Sequence, residues 1–458
     1  MKEFSVKDLA QIIKADPTKN IDGVFTGVST DSRTIQPGDC FFAIGGENFD
    51  GHDYVADAFA KGAACAVVSR DNKSPDHSLL IVSDTIKALG DFAREYRRQM
   101  NFKVVAITGS VGKTTTRQIA YHVLRRHFRV FGAPKNFNNN IGLPLTLLGA
   151  DPQDQIIIAE IGSNHPGEIA YLTQIALPDV ALITNVYPCH LEGFADLQTI
   201  IQEKSSISEG LPADGILLIN TDFDRLVTAC RAKGTRVITF GKSDTSDIQI
   251  ANIAHSGAGS SFTLDGSRVY LPLPGPGNVE NALAAWALCS RFGLTADDFA
   301  QAVKTLPAIP MRTELLQIGT LTVLNDCYNA NPASMKNALD ILANVAACGP
   351  GEKSRLVFVC GDMAELGRQS WQLHAELGRL VAHAKVQLLL AIGKFARITA
   401  EAAKTNAKQN VQAKCFNDTA SACNNLQEFI RDDDIILVKG SRLAGLELVV
   451  EKLKECFS

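Results

Sequence analysis

Apolar positions along this chain fall into two alternating rhythms. Short aliphatic runs at 104–107, 155–159, 180–184, 215–219 and 237–240 predict buried strands. Between them, at 114–127, 168–176, 197–208 and 279–292, apolar residues return every three or four positions and predict helices. Strands that are apolar on both faces and alternate with helices imply a mostly parallel sheet covered on either side. Residues 1–100 carry smaller units: a helix at 6–13, a strand at 38–44 after the Pro37-Gly38 turn, a helix at 54–61, and strands at 63–68 and 79–82. A long amphipathic helix at 85–100 bridges to the next unit. Near Glu314 the alternation resumes, with strands at 321–324, 355–360, 386–392 and 435–438 and a helix at 333–345. At ~150 residues per domain, 458 residues suit three domains. The expected division is 1–100, 101–313 and 314–458, α/β throughout, with doubly wound sheets in the second and third.

Composition narrows the class. A hydrophobic fraction of 46% with 21% charged residues supports ordinary cores and excludes disorder. The 45 basic residues against 49 acidic ones leave a net charge of −4. That charge gives no basic field for nucleic acid and no polybasic membrane patch. No apolar run approaches the ~20 residues of a membrane span. The start, Met1-Lys-Glu-Phe-Ser-Val6, has no apolar leader segment. Eleven cysteines are scattered without a C-x-x-C pair or metal-type spacing, as expected of reduced thiols in a cytoplasmic protein.

The densest chemical signal is Val104-Val-Ala-Ile-Thr-Gly-Ser-Val-Gly-Lys-Thr-Thr-Thr116. A buried strand runs into glycines, then a lysine, then hydroxyls, an order that suits a phosphate cradle. Gly109 and Gly112 allow a tight turn that aims N–H groups at an anion, and the following helix adds its positive end. Lys113 can reach terminal phosphates, and the Thr114 hydroxyl can ligate Mg²⁺. The common loop G-x-x-x-x-G-K-[ST] would need its first glycine at Ile107, so this is a shortened variant.

Other predicted strand ends are polar too. Glu160 follows the second central strand and is placed to hold Mg²⁺ directly or through water. His190 and Glu192 end the next strand, where His190 suits a metal or phosphate role. The stretch Lys135-Asn-Phe-Asn-Asn-Asn140 supplies amides without net charge, Asn138 and Asn139 among them, as a sugar, peptide or phosphate site would need. In the third unit Asp326-Cys-Tyr-Asn-Ala-Asn-Pro332, Gly361-Asp-Met-Ala-Glu-Leu-Gly367 and Lys439-Gly-Ser-Arg442 all follow apolar strands and suggest a substrate wall. Lys204, on a polar helix stretch, reads by composition as a surface lysine.

Taken together these motifs resemble the Mur ligase family, ATP-dependent amide-forming enzymes of peptidoglycan precursor synthesis. The resemblance runs nearly end to end. It includes Ser29-Thr-Asp-Ser-Arg33, Pro37-Gly-Asp39, Phe49-Asp-Gly-His-Asp53, the short phosphate loop, Asn136-x-Asn-Asn139 with Ile141-Gly142, and Glu160. It continues through His190-Leu-Glu-Gly-Phe194, Lys204, Asn278, Asn281-Ala-Leu283, and the three polar motifs of the third unit. Tyr328-Asn-Ala-Asn-Pro332 and the 361–367 stretch point to the branch that joins D-alanyl-D-alanine to UDP-N-acetylmuramoyl-tripeptide. The phosphate loop alone identifies only the superfamily.

The resemblance implies a small N-terminal α/β domain, a central ATP-binding domain and a Rossmann-like C-terminal domain. The first would hold the UDP-sugar end through Ser29, Asp31, Ser32, Arg33 and residues 41–46. ATP would sit on Gly109, Ser110, Val111, Gly112, Lys113, Thr114 and Thr115, with Asn278 and Asn281 facing adenine, Arg312 the phosphates and Asp326 the ribose. Thr114, Glu160, His190 and a carbamylated Lys204 would serve two Mg²⁺ sites. Lys113, His190, Lys204 and Arg312 would carry catalysis. Asn138, Asn139, Tyr328, Asn329 and Asn331 would meet substrate, in a monomeric cytoplasmic enzyme that binds neither nucleic acid nor membrane. The chain departs from the family pattern at Gly277, where His is usual, at Met311, often Gly, at Asn140, where Glu is common, and at Cys189, where Ala is. Two alternatives remain: a ligase of the same superfamily with another acceptor, and a nucleotide-binding regulatory module without catalysis.

Overall fold

The computed structural model of the chain describes residues 1–18, 21–46, 49–70, 78–133, 136–348, 354–407 and 410–458. The architecture is α/β with largely parallel sheets. In the N-terminal part, five strands lie in the order Asp16–Pro17, Leu79–Ile81, Cys65–Val68, Asp39–Phe42, Gly27–Ser29. The helix Thr85–Gln99 follows, capped by the Asp84 carboxylate, which accepts the Ile86 and Lys87 N–H groups. Its apolar face buries Leu89, Phe92 and Tyr96 against Phe4 and Phe25. At its last turn Arg97 donates to the Ala176 carbonyl and to Asp179, so this helix joins the first sheet to the second.

The second sheet has seven strands, in the order Ile248–Gln249, Arg236–Gly241, Ile216–Asn220, Val180–Ile183, Lys103–Thr108, Ile156–Glu160, Val130–Gly132. All of its pairs are parallel. The run Val104 to Ile107 explains its central place, because each of its residues is wholly buried. Val104 and Ala106 pack with Leu143, Leu147 and Leu172 on one face. Val105 and Ile107 pack with Ile119, Val123 and Leu283 on the other. From Lys103–Thr108 the chain first builds strands on one side and then returns to the other. This strand is therefore the switch point of the sheet, and a crevice opens at its C-terminal end.

The third sheet runs Glu314–Ile318, Leu321–Asn325, Ile435–Lys439, Leu356–Gly361, Leu388–Ile392, Gln412–Phe416. Its first pair is antiparallel and the rest are parallel. Sequence periodicity missed a three-stranded antiparallel meander, Ala251–His255, Ser260–Leu264 and Ser267–Leu271. The first of these strands is exposed at every position, so it carries no apolar alternation to detect. The helix expected at 197–208 ends at Ser205 and tightens into the 3₁₀ turn Ser206–Gly210.

Candidate active site

The strand ends of the second and third sheets enclose a cavity of about 930 Å³. Its floor is the loop after Lys103–Thr108. Gly109 (φ 147°) and Gly112 (φ 84°) hold backbone conformations that side chains resist. Space excludes them as well: a Cβ at Gly109 would stand 2.0 Å from Thr184 Oγ1, and one at Gly112 2.0 Å from Asn281 Oδ1. The neighbouring strand end fixes the loop. Asn185 Oδ1 accepts the Val111 N–H at 2.9 Å, and Val111 O accepts the Thr184 hydroxyl at 2.7 Å. The helix Lys113–Leu124 starts here without a side-chain cap, so its first N–H groups are available to an anion. Lys113 Nζ lies back on the Gly109 carbonyl at 2.7 Å, and burial lowers its pKa.

Glu160 is 1% exposed. Its Oε1 accepts Arg117 Nε at 2.6 Å and its Oε2 the Thr114 hydroxyl at 3.1 Å. Arg117 also donates to the Ala133 carbonyl at 2.7 Å. Sequence reading passed over Arg117, because nothing local distinguishes it from any basic residue on a helix. Its partner lies 43 positions away.

His190 reaches across to the third unit, where its Nδ1 pairs with the Glu365 carboxylate. That bond lowers the Glu365 pKa. The Glu365 carbonyl also accepts the Glu192 N–H at 3.1 Å. Glu365 stood inside the quoted 361–367 stretch but was not singled out, since its partner is 175 positions distant.

Lys204 is not a surface lysine. It is 1% exposed, and its Nζ donates to Ser163 Oγ at 2.9 Å rather than to His190. Burial first, and the nearby Lys113 charge second, pull its pKa down to about 8. It lies behind the cavity wall that Ser163 forms.

The remaining expected residues divide clearly. Ser110 to Thr115, Asn138, Asn139, Asn278, Asn281, Arg312, Asp326, Tyr328, Asn329 and Asn331 all line the cavity, as do Lys439 and Arg442. Several also hold the scaffold. Asn139 Oδ1 accepts the Gly142 N–H at 2.9 Å, and Asn331 Oδ1 the Ser334 N–H at 2.9 Å, each at a helix start. Asn278 Nδ2 donates to the Pro274 carbonyl at 2.8 Å and to Thr313 Oγ1 at 2.9 Å. Asp326 accepts the Thr313 N–H at 3.0 Å and Lys439 Nζ at 2.5 Å. The Arg312 guanidinium stacks over Tyr328 at 4.1 Å.

Ser29, Asp31, Ser32 and Arg33 do not reach this cavity. They form a separate loop in which Ser29 Oγ donates to the Asp31 carbonyl at 3.0 Å. Hydrogen bonds from Arg33 hold the Asp31 pKa down at about 2. Asp362, in the 361–367 stretch, turns away to accept the Lys394 N–H at 2.7 Å. Lys135 lies outside the described residues.

The donor set suits one hard cation. Thr114 Oγ1 and Glu160 Oε2 are oxygen donors 3.1 Å apart beside an anion cradle, and Mg²⁺ takes few protein oxygens plus phosphate. The residues at His190 and Lys204 do not form a second site as they stand, because an ammonium cannot ligate a metal. Among the described residues no group of three or more His, Cys, Asp or Glu forms a metal cluster.

Known proteins place this arrangement. The chain matches the Mur ligase family catalytic domain over residues 24–109, the Mur ligase middle domain over 107–289 and the Mur ligase glutamate ligase domain over 311–442. It is 36% identical to the UDP-N-acetylmuramoyl-tripeptide–D-alanyl-D-alanine ligase of Escherichia coli K12 and 34% to that of Bacillus subtilis 168, covering 99% of each chain. A crystal structure of MurF from Acinetobacter baumannii superposes with a TM-score of 0.89 at 31% identity over 99% of both chains. MurF from Thermotoga maritima in complex with ADP gives 0.81 at 26% identity, over 94% of this chain and 97% of that one. With this similarity running along the whole sequence, the chain belongs to the Mur ligase family.

Proposed function

We propose that this protein joins D-alanyl-D-alanine to UDP-N-acetylmuramoyl-tripeptide with consumption of ATP, in cytoplasmic peptidoglycan precursor synthesis. The observation that carries the proposal is the single cavity in which the phosphate loop faces the 326–331 motif of the third unit. A carboxylate is a poor acyl donor. Its oxygen attacks the γ-phosphorus of ATP, ADP leaves, and an acyl phosphate forms. The dipeptide amine then attacks the acyl carbon, loses a proton, and phosphate departs as the amide forms.

Lys113 and the first N–H groups of its helix would offset charge on the transferring phosphoryl. Arg312, held over Tyr328, would face the phosphates from the linker between units. Asn329, Asn331 and Tyr328, with Asn138 and Asn139, would line the space where the peptide ends meet. Packing the two units together would keep water from the acyl phosphate. Ser29, Asp31, Ser32 and Arg33 would hold the UDP end at a distance. The enzyme would act as a monomer.

Thr114 and Glu160 would hold Mg²⁺, which when bound neutralises phosphate charge. We extend the proposal to Lys204, His190 and a second Mg²⁺. An amine with a pKa near 8 is partly neutral at physiological pH, as addition to CO₂ requires. Its nitrogen lone pair forms a bond to the CO₂ carbon and a proton leaves, turning a buried cation into an anionic ligand. Labelled bicarbonate should then give a carbamate carbon resonance in the protein that Lys204→Ala lacks. Identical spectra would return Lys204 to a structural role.

Release of ADP, measured with either substrate alone and with both, tests the reaction. Turnover that needs UDP-N-acetylmuramoyl-tripeptide and D-alanyl-D-alanine together supports the proposal. Turnover with a different acceptor, or nucleotide binding without turnover, overturns it.

A further inference from the structure

One polar residue of the cavity wall has no task in this scheme. Asn337 sits on the helix Pro332–Cys348 of the third unit and lines the cavity. Its Oδ1 accepts the Gly277 N–H of the second unit at 3.2 Å. That N–H belongs to the first turn of helix Pro276–Cys289, which has no side-chain cap of its own, so the cap comes from across the interface. The fit depends on a missing side chain. A Cβ at Gly277 would stand 2.7 Å from Asn337 Oδ1 and 3.1 Å from its Nδ2. A Cβ at Gly275 would stand 2.2 Å from Ile341 Cγ1, one turn further along the same helix. The two glycines make a notch that receives this helix face.

The cap also fixes which way the amide points. With Oδ1 committed to an N–H, Nδ2 is the atom left for a ligand, and among the described residues it makes no hydrogen bond within the protein. Asn281 marks the phosphate end of the same helix, since its Oδ1 stands 2.0 Å from where a Gly112 Cβ would be. Asn278 lies almost one turn back, and Gly277 with Asn337 lies beyond it. A nucleotide laid from the loop along this helix end carries its base toward Asn337. We propose that Asn337 reads the base of ATP, its Nδ2 donating a hydrogen bond to a ring nitrogen of adenine in the cavity that Asn337 lines. The inference rests on the ATP-dependent reading above. It makes base recognition a property of the assembled units, because the reading residue and the phosphate loop lie on different ones.

Calorimetric titration of the full chain with Mg²⁺ and either ATP or ribose 5′-triphosphate tests it. The second ligand keeps phosphates and sugar and lacks the base. Wild type should prefer ATP. Asn337→Ala should weaken ATP about tenfold, the worth of one well-placed hydrogen bond, and leave ribose 5′-triphosphate within about twofold. Asn337→Asp keeps an acceptor for the Gly277 N–H and removes the donor, so it should lower the same preference in a folded protein. Equal losses for both ligands in Asn337→Ala, or an unchanged preference in either variant, would overturn the assignment. A wild type that binds ribose 5′-triphosphate as well as ATP would overturn it too. A wild type that binds neither ligand overturns the nucleotide reading itself.

Discussion

Lys113 and Arg117 lie one turn apart on the same helix and do opposite work. Lys113 is half-buried with its ammonium on a carbonyl of its own loop, so its partly desolvated charge is a cost that a phosphate would offset. Arg117 neutralises the buried Glu160, so its charge is part of the fold. Lys113→Ala should therefore keep or slightly raise the melting temperature while turnover falls by about a hundredfold or more, the scale of losing one charge-stabilising donor. Arg117→Ala should cost about 3 kcal/mol by leaving a buried carboxylate unpaired. Thermal melts and steady-state ADP release on both variants separate the roles. A stable Arg117→Ala, or a Lys113→Ala of normal turnover, contradicts the division. The sequence exposed Lys113 because glycines and hydroxyls surround it within a few positions. It hid Arg117 and Lys204 because their surroundings come from distant strands. Lys204 reads by composition as a surface lysine, yet it and its neighbour Glu203 are both buried. The Glu203 carboxylate accepts the Gly167 and Ile169 N–H groups at the start of helix Glu168–Ala176.

Elements were legible where burial left an apolar pattern, on both faces of a central strand or along one face of a helix. The central strand at 104–107 and the helix at 168–176 follow directly from their apolar spacing, while the exposed meander strand Ala251–His255 has none to read. The Gly361–Gly367 motif shows a different limit. Its polar residues read as one substrate wall, but Asp362 braces the third unit internally. Beside it, the helix Ser370–His383 buries His374. The ring donates from Nδ1 to the Ser370 carbonyl at 2.7 Å, which leaves Nε2 to accept the Met363 N–H at 3.0 Å. The ring stacks on Phe395 at 4.5 Å. Burial lowers the His374 pKa below the usual 6.5, with the Asp362 charge opposing that shift. The unfolded chain thus takes up a proton in acid more readily than the folded one. Stability from this group is present above about pH 6.5 and is lost as pH falls below it. Melts at pH 7.5 and 5.5 should show a larger acid loss for wild type than for His374→Gln. Equal losses would mean that His374 does not set the acid sensitivity of this helix.

At the scale of the molecule, local pattern gave three α/β units and their strand ends but not how those ends meet. The joining contacts link residues far apart in sequence, His190 and Glu192 with Glu365 and Gly277 with Asn337. The linker that carries Arg312 has left-handed backbone at Met311 (φ 59°) and Thr313 (φ 47°), a conformation that costs energy for a β-branched residue. Asn278, Asp326 and Glu314 hold it in place by hydrogen bonds. The second and third units each have an apolar core of their own, so the contacts between these two should set their spacing rather than their folding. The His190–Glu365 pair is the most open to test. Its side chains are 25% and 46% exposed, and solvent screening leaves such a pair worth at most about 1 kcal/mol. That is still enough to change the ratio of joined to separated units about fivefold. Glu365→Ala should leave the melting temperature near wild type and increase the radius of gyration of the free protein in X-ray scattering. Added ATP and Mg²⁺ should bring it back, because ligand contacts from both units replace the lost pair. A radius unchanged by the substitution would show that the remaining contacts alone hold the units together.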